Sequence, residues 1–185
     1  MPRAVITGAK TPIATADAGP VHYSADGRKR RRLTVRIWSV RHAAFLEKLY
    51  HLVSRLLVGL EPLFRRIGYD RAEAPVALIE KGVKGFLFDC RMCGQCILSS
   101  TGMSCPMNCP KQLRNGPCGG VRANGHCEVN ADWPCVWVMA WEGSRNMVGG
   151  EAILHIQPPV NQALRETSSW LRVMRASAAE RETAP

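Results

Sequence analysis

A chain of 185 residues fits one ordinary domain with tails, and at that size it can bury a core without staples along its whole length. Its formal charge of +10 suits an acidic or nucleic-acid partner, but the charge is clustered, and residues 28–32 alone read RKRRR. No export-type apolar run follows Met1, so a cytoplasmic location is expected, and Glu47, Lys48, His51, Arg55 and Glu61 interrupt the most apolar stretch and exclude a transmembrane segment there.

In chain order, residues 1–32 are rich in Ala, Thr, Gly and Pro with few large apolar side chains. Such a segment cannot offset its chain entropy, and residues 1–35 are therefore expected to form a disordered basic tail. The RKRRR run reads as solvated; contact with nucleic acid, a membrane surface or an acidic partner is the functional alternative.

Phe45, Leu46, Leu49, Leu52, Val53, Leu56, Leu57, Leu60, Leu63 and Phe64 recur at steps of three and four, which predicts a helix from about Val40 to Phe64. Its apolar stripe is expected to pack on the chain's own core, with a partner-binding or membrane-surface face as the alternative. A second helix is expected from Pro75, tolerated in a first turn, to around Gly82–Gly85. Between Cys90 and Cys127, Cys, Gly, Pro, Asn and Ser dominate, so loops and short turns are expected there, held by something other than an apolar core.

Trp133, Trp137 and Trp141, at four-residue spacing, predict a helix beginning near Asp132, with Asp132 as candidate cap and the rings read as packing groups. A last helix is expected over Val160–Met174, with Leu164, Trp170, Leu171 and Met174 inward and fraying from about Ala176. The expected architecture is mainly α with an irregular cysteine-rich metal-binding loop region and little β. A single helical domain over 36–175 encloses the metal-binding region 86–141, and 176–185 form a disordered C-terminal tail.

The eight cysteines are Cys90, Cys93, Cys96, Cys105, Cys109, Cys118, Cys127 and Cys135, all within 46 residues, in the order C-x2-C-x2-C-x8-C-x3-C-x8-C-x8-C-x7-C. Disulfides are disfavoured where thiols are kept reduced. Zinc would suit an all-thiolate set, and two tetrahedral sites would use all eight. The third cysteine at the same spacing favours iron–sulfur clusters instead, because one short C-x2-C-x2-C loop then offers three thiolates to three irons. Proline after Cys105 and Cys109 is half of the bacterial ferredoxin pattern. Metal ligation is the expectation; 4Fe-4S clusters lead, and zinc stays open.

Gly116, Gly119 and Gly120 around Cys118 would let backbone amides approach a thiolate, or simply supply a tight turn. His126 is a spare candidate ligand, and Asp89, Glu128 and Glu142 read as capping or solvated carboxylates. No Walker loop, dinucleotide fingerprint, HExxH or GxSxG motif is present, so the chain is not expected to catalyse a reaction alone.

The segments KGFLFDCRMCGQCIL, CPMNCPKQLRNGPCGG, GHCEVN and PCVW form one ordered set, which resembles the methylenetetrahydrofolate reductase C-terminal-like domain over about Lys81 to Trp141. The resemblance implies a small cysteine-rich subunit beside a flavoprotein methylenetetrahydrofolate reductase catalytic subunit, passing electrons through iron–sulfur clusters to its flavin. The flavin and folate sites belong to a separate barrel, for which this chain has no counterpart. A zinc-stabilised structural or interaction protein, with nucleic acid on the basic tail, is the alternative. Nucleic acid is disfavoured, because few aromatics interleave the basic run and no finger or RRM signature accompanies it.

Overall fold

The computed structural model describes residues 27–116 and 118–183. Six helices follow in order: α1 (Gly27–Arg41), α2 (Ala43–Gly59), α3 (Glu61–Ile67), α4 (Tyr69–Phe88), α5 (Val136–Ser144) and α6 (Ser169–Thr183). Short 3-10 turns lie at Leu98–Ser100, Pro106–Asn108, Gly150–Leu154 and Gln162–Leu164. Among the described residues there are no strands, only isolated antiparallel bridges at Val121–Cys127 and His126–Pro134. The mainly helical, β-poor expectation holds.

The expected N-terminal tail lies outside the described residues up to residue 26. Its remainder, 27–35, instead begins α1, where Leu33 and Arg36 are buried and the helix packs on α4 and α5. Ser39 donates to the Leu87 carbonyl at 2.8 Å, tying α1 to the end of α4.

The helix expected over residues 40–64 is α2 and α3, joined almost without a break. The Leu60 amide donates to the Leu56 carbonyl at 3.0 Å, and the Leu60 carbonyl accepts from Phe64 at 3.2 Å. The packing of its stripe differs from expectation. Ala43 and Leu46 enter one core cluster, with Tyr50 packed against it, and Leu57 and Phe64 pack on another. Phe45, Leu49, Leu52, Leu56, Leu60, Leu63 and Ile67 are exposed. What reads in sequence as one broad apolar face is therefore two adjacent stripes, and only one meets the core.

Helix α4 starts six residues before Pro75 and runs through Gly82 and Gly85 to Phe88. Ala72 is buried against Leu171 and Met174 of α6, and burial of Glu80, Lys84 and Phe88 further along carries the helix through residues that intrinsic propensity would use as stops. Asp89, in the left-handed region at φ 51°, closes it, with its amide bonded to the Gly85 carbonyl. Leu171 and Met174 are fully buried, each contributing ~1.5–3 kcal/mol of apolar burial.

The last expected helix is displaced: Gln162–Leu164 form a 3-10 turn, and α6 runs from Ser169 past Ala176 to Thr183. The tryptophan helix also starts later. Asp132 does not cap it; the Cys135 amide is held by the Gly125 carbonyl at 2.9 Å, and α5 begins one residue on. Gly102, at φ 58°, abuts Gly143 of α5 so closely that neither position has room for a side chain.

Candidate metal centre

The loop region between α4 and α5 brings all eight cysteine side chains to the walls of two separate cavities. Cys90, Cys93, Cys96 and Cys105 line the first, and Cys109, Cys118, Cys127 and Cys135 the second. The division follows chain order, first four and last four, which spacing alone left undetermined. Among the described residues no three His, Cys, Asp or Glu side chains converge as ligands of a single ion.

The first cavity sits against α4. The αL turn at Asp89 swings the chain off the helix, and Met92 (φ 45°) and Gly94 (φ 70°) turn it twice more, presenting three cysteines at a repeat of three. At Gly94 an added Cβ would collide with the Leu164 carbonyl, so the loop is pinned beneath the 3-10 turn at Gln162–Leu164. The fourth thiol comes from Cys105, where a buried Pro106 opens the turn to Asn108.

Two cations face these thiols. Lys84 is 3% exposed, donating to Glu80 at 2.7 Å and to the Ser169 hydroxyl at 2.8 Å. Glu80 also accepts from the hydroxyls of Ser168, at 2.7 Å, and Ser169. Burial by itself would raise the Glu80 pKa, but Lys84 and the two serines outweigh it and hold the carboxyl below its ordinary value. Burial likewise opposes the charge on Lys84, yet Cys96 and Glu80 raise its pKa overall. Arg114, 7% exposed, donates through one terminal nitrogen to the Gln95 carbonyl at 2.9 Å, while its Nε and Nη1 have no protein partner.

The thiols are unequal. A hydrogen bond from Cys105, helped by the Met92 amide at 3.3 Å and by Lys84, brings the Cys90 pKa down to about 7 against its burial. Cys105 is pushed well up by that same bond and by burial, and Cys96 is raised by burial despite Lys84. Cys90 is thus more readily ionised than Cys96 or Cys105.

The second cavity is built almost wholly from loops. The Gly120 amide points at Cys118 Sγ, 3.4 Å away, and Lys111 Nζ lies 3.7 Å from the same sulfur while pairing with Glu128. Of the three glycines in NGPCGG, Gly120 makes the amide approach to sulfur, Gly116 packs on the Trp137 ring and Gly119 has open space around its Cα. His126 joins neither lining: its Nδ1 lies 2.6 Å from the Ala131 carbonyl, fixing the turn.

One turn separates the two cavities. Cys105 belongs to the first and Cys109 to the second, and Pro106–Asn108 lie between. Asn108 locks this bridge, donating to the Phe88 carbonyl at 3.0 Å and accepting from Arg91 Nε at 3.0 Å. Arg36 is buried alongside, its guanidinium 5.8 Å from the Trp133 ring centre. Glu80, Lys84, Arg114 and Arg36 escaped the sequence reading. The only trace was the i,i+4 Glu–Lys spacing on α4, common on exposed helices and silent about burial.

A family model described as methylene-tetrahydrofolate reductase C terminal matches residues 69–163, from the start of α4 through both cavities to the 3-10 turn before α6. No curated protein and no solved structure matches the chain.

Proposed function

The chain belongs to the methylene-tetrahydrofolate reductase C-terminal family, and on that premise we propose that it is an accessory electron-transfer subunit whose two cavities each hold a 4Fe-4S cluster. The observation that carries this reading is the division of eight thiols into two sets of four around two spaces joined by one short turn. A cluster supplies one-electron chemistry. The residues fit such a group: the thiolate set is cluster-type, and the two buried cations and the partnerless Nε and Nη1 of Arg114 suit a dense anionic body in the first cavity.

In this reading Cys90, Cys93, Cys96 and Cys105 are the first ligand set, and Cys109, Cys118, Cys127 and Cys135 the second. Lys84 balances charge in the first, held in place by Glu80, Ser168 and Ser169, and the Gly120 amide and Lys111 do so for Cys118 in the second. Only the Pro106–Asn108 turn stands between Cys105 and Cys109, and electrons would pass across it from one set to the other. The recipient is the flavin of a methylenetetrahydrofolate reductase catalytic subunit in one-carbon metabolism, and the chain works in the cytoplasm.

Protein purified without oxygen should be brown, with broad visible absorption and about eight irons and as many labile sulfides per chain. Cys93→Ser should abolish electron delivery to the partner flavin while the flavoprotein's own substrate binding persists. A colourless protein carrying only zinc would replace this reading with a zinc-stapled structural or interaction protein, for which an all-cysteine donor set is equally competent.

A further inference from the structure

The outward stripe of α2 and α3 has no role in either cavity and none in the core. Phe45, Leu49, Leu52, Leu56, Leu60, Leu63 and Ile67 are each between 40 and 60% exposed, and they repeat at steps of three and four. On a helical wheel they occupy only about 80° of arc, and the row is about 33 Å long. That is the width of a coiled-coil seam, whereas a helix lying on a lipid surface needs a broad apolar face.

The charge around the seam is of one sign. Lys48, Arg55 and Arg66 are exposed about a quarter turn to one side of it. The two acids of residues 43–67 are buried and engaged: Glu47 accepts the amides of Val148 and Gly149, each at 2.8 Å, and Glu61 accepts from the Tyr69 hydroxyl at 2.8 Å. A second copy of this chain would therefore bring a basic flank with no exposed acid on either α2–α3 face to meet it. The opposite flank of the seam rolls directly into the core through Leu46, Leu57 and Phe64.

We propose that this seam is where the catalytic flavoprotein subunit docks, through an amphipathic helix with leucine-type side chains at a heptad spacing and carboxylates beside them. The assignment rests on the accessory-subunit reading above and adds the surface and the chemistry of its complement. The apolar row contributes the contact area, and the basic flank sets register and speeds encounter. Helix α2 links this outward face to the first cavity, because on its core side Tyr50 packs on the same cluster as Cys96 and Cys105.

Sedimentation velocity of the full chain with the recombinant flavoprotein subunit tests this. Leu52→Asp combined with Leu56→Asp should weaken the complex at least about a hundredfold, and Lys48→Glu with Arg55→Glu and Arg66→Glu about tenfold, the wild-type affinity falling with added salt. Circular dichroism matching wild type shows that each variant is folded, and the charge-reversal variant carries the test if the apolar one is not. Wild-type-like binding by both folded variants overturns the seam and leaves the accessory-subunit reading standing. Failure of the wild-type chain itself to bind the flavoprotein overturns both. Stripe-dependent self-association, or stripe-dependent adsorption to phosphatidylserine vesicles in place of the complex, also overturns the seam.

Discussion

The two thiol cavities have the same number of cysteines and opposite surroundings. The first is walled on one side by α4 and α6, with a buried Glu80–Lys84 pair, two buried serines and Arg114. The second is enclosed by turns, with a half-exposed Lys111–Glu128 pair at its rim. A core of Leu98, Met103, Cys105 and Phe88 supports the first independently of any ligand, whereas the second has Cys135, Trp137 and Ala140 on one side and loops on the others. Apolar burial and metal ligation are alternative ways of holding irregular backbone; burial holds the first side of the turn, and the proposed ligation would have more to hold on the second.

With the cavities filled as proposed, the largest effect expected from that contrast is on stripping the metal. Chelation under reducing conditions should abolish amide-exchange protection across residues 109–135 while the amides around Ala72, Leu171 and Met174 stay protected, because ligand binding energy is folding energy only where no core substitutes for it. Uniform loss of protection across α4 and α6 would break the comparison.

Next in size is the buried pair. Lys84→Met leaves Glu80 at 2% exposure without its cation, with only hydrogen bonds to Ser168 and Ser169 and the Trp170 amide, and should cost about 3–5 kcal/mol by chemical denaturation. Glu80→Gln in the same chain should restore a large part of it. An effect below about 1 kcal/mol would mean that the pair is hydrated, unlike the buried geometry described.

The pH dependence sharpens the same point. The Glu80 pKa is lower in the folded chain than its ordinary value, so its contribution is present above the unfolded carboxyl value of about 4 and is lost as pH falls through the lowered one. Wild type should therefore lose more stability on acidification through that window than Glu80→Gln. Parallel profiles for the two would count against it. The smallest effect is expected at the second cavity's rim, where Lys111→Ala should leave the thermal midpoint unchanged, since its carboxylate partner is exposed and solvent screens the pair.

Much of the site was legible in the sequence. The cysteine-rich region from Cys90 to Cys135 stood out because thiol spacing is a local property of short loops, and the ordered cysteine segments carried the family resemblance, which the family match bears out. Helix existence was legible for α2–α3 and for part of α4 and α6, while boundaries moved at Tyr69, Val136 and Ser169, where burial or a neighbouring loop overrode propensity. The α2 stripe shows why the rest was hidden. Leu46 and Leu49 are the same residue type three positions apart, and periodicity cannot tell which of two adjacent apolar rows meets a core made of distant residues.

The sequence by itself determined that the chain would be helical around a cysteine-rich loop region, because repeat period, turn composition and thiol spacing act over a few residues. Only the tertiary structure decided the four-and-four division of the thiols, the burial of Glu80 and Lys84 beside the first set, and the exposure of the seam on α2–α3. Each of these depends on which residues far apart in the chain come to share one space, and local periodicity carries no information about that.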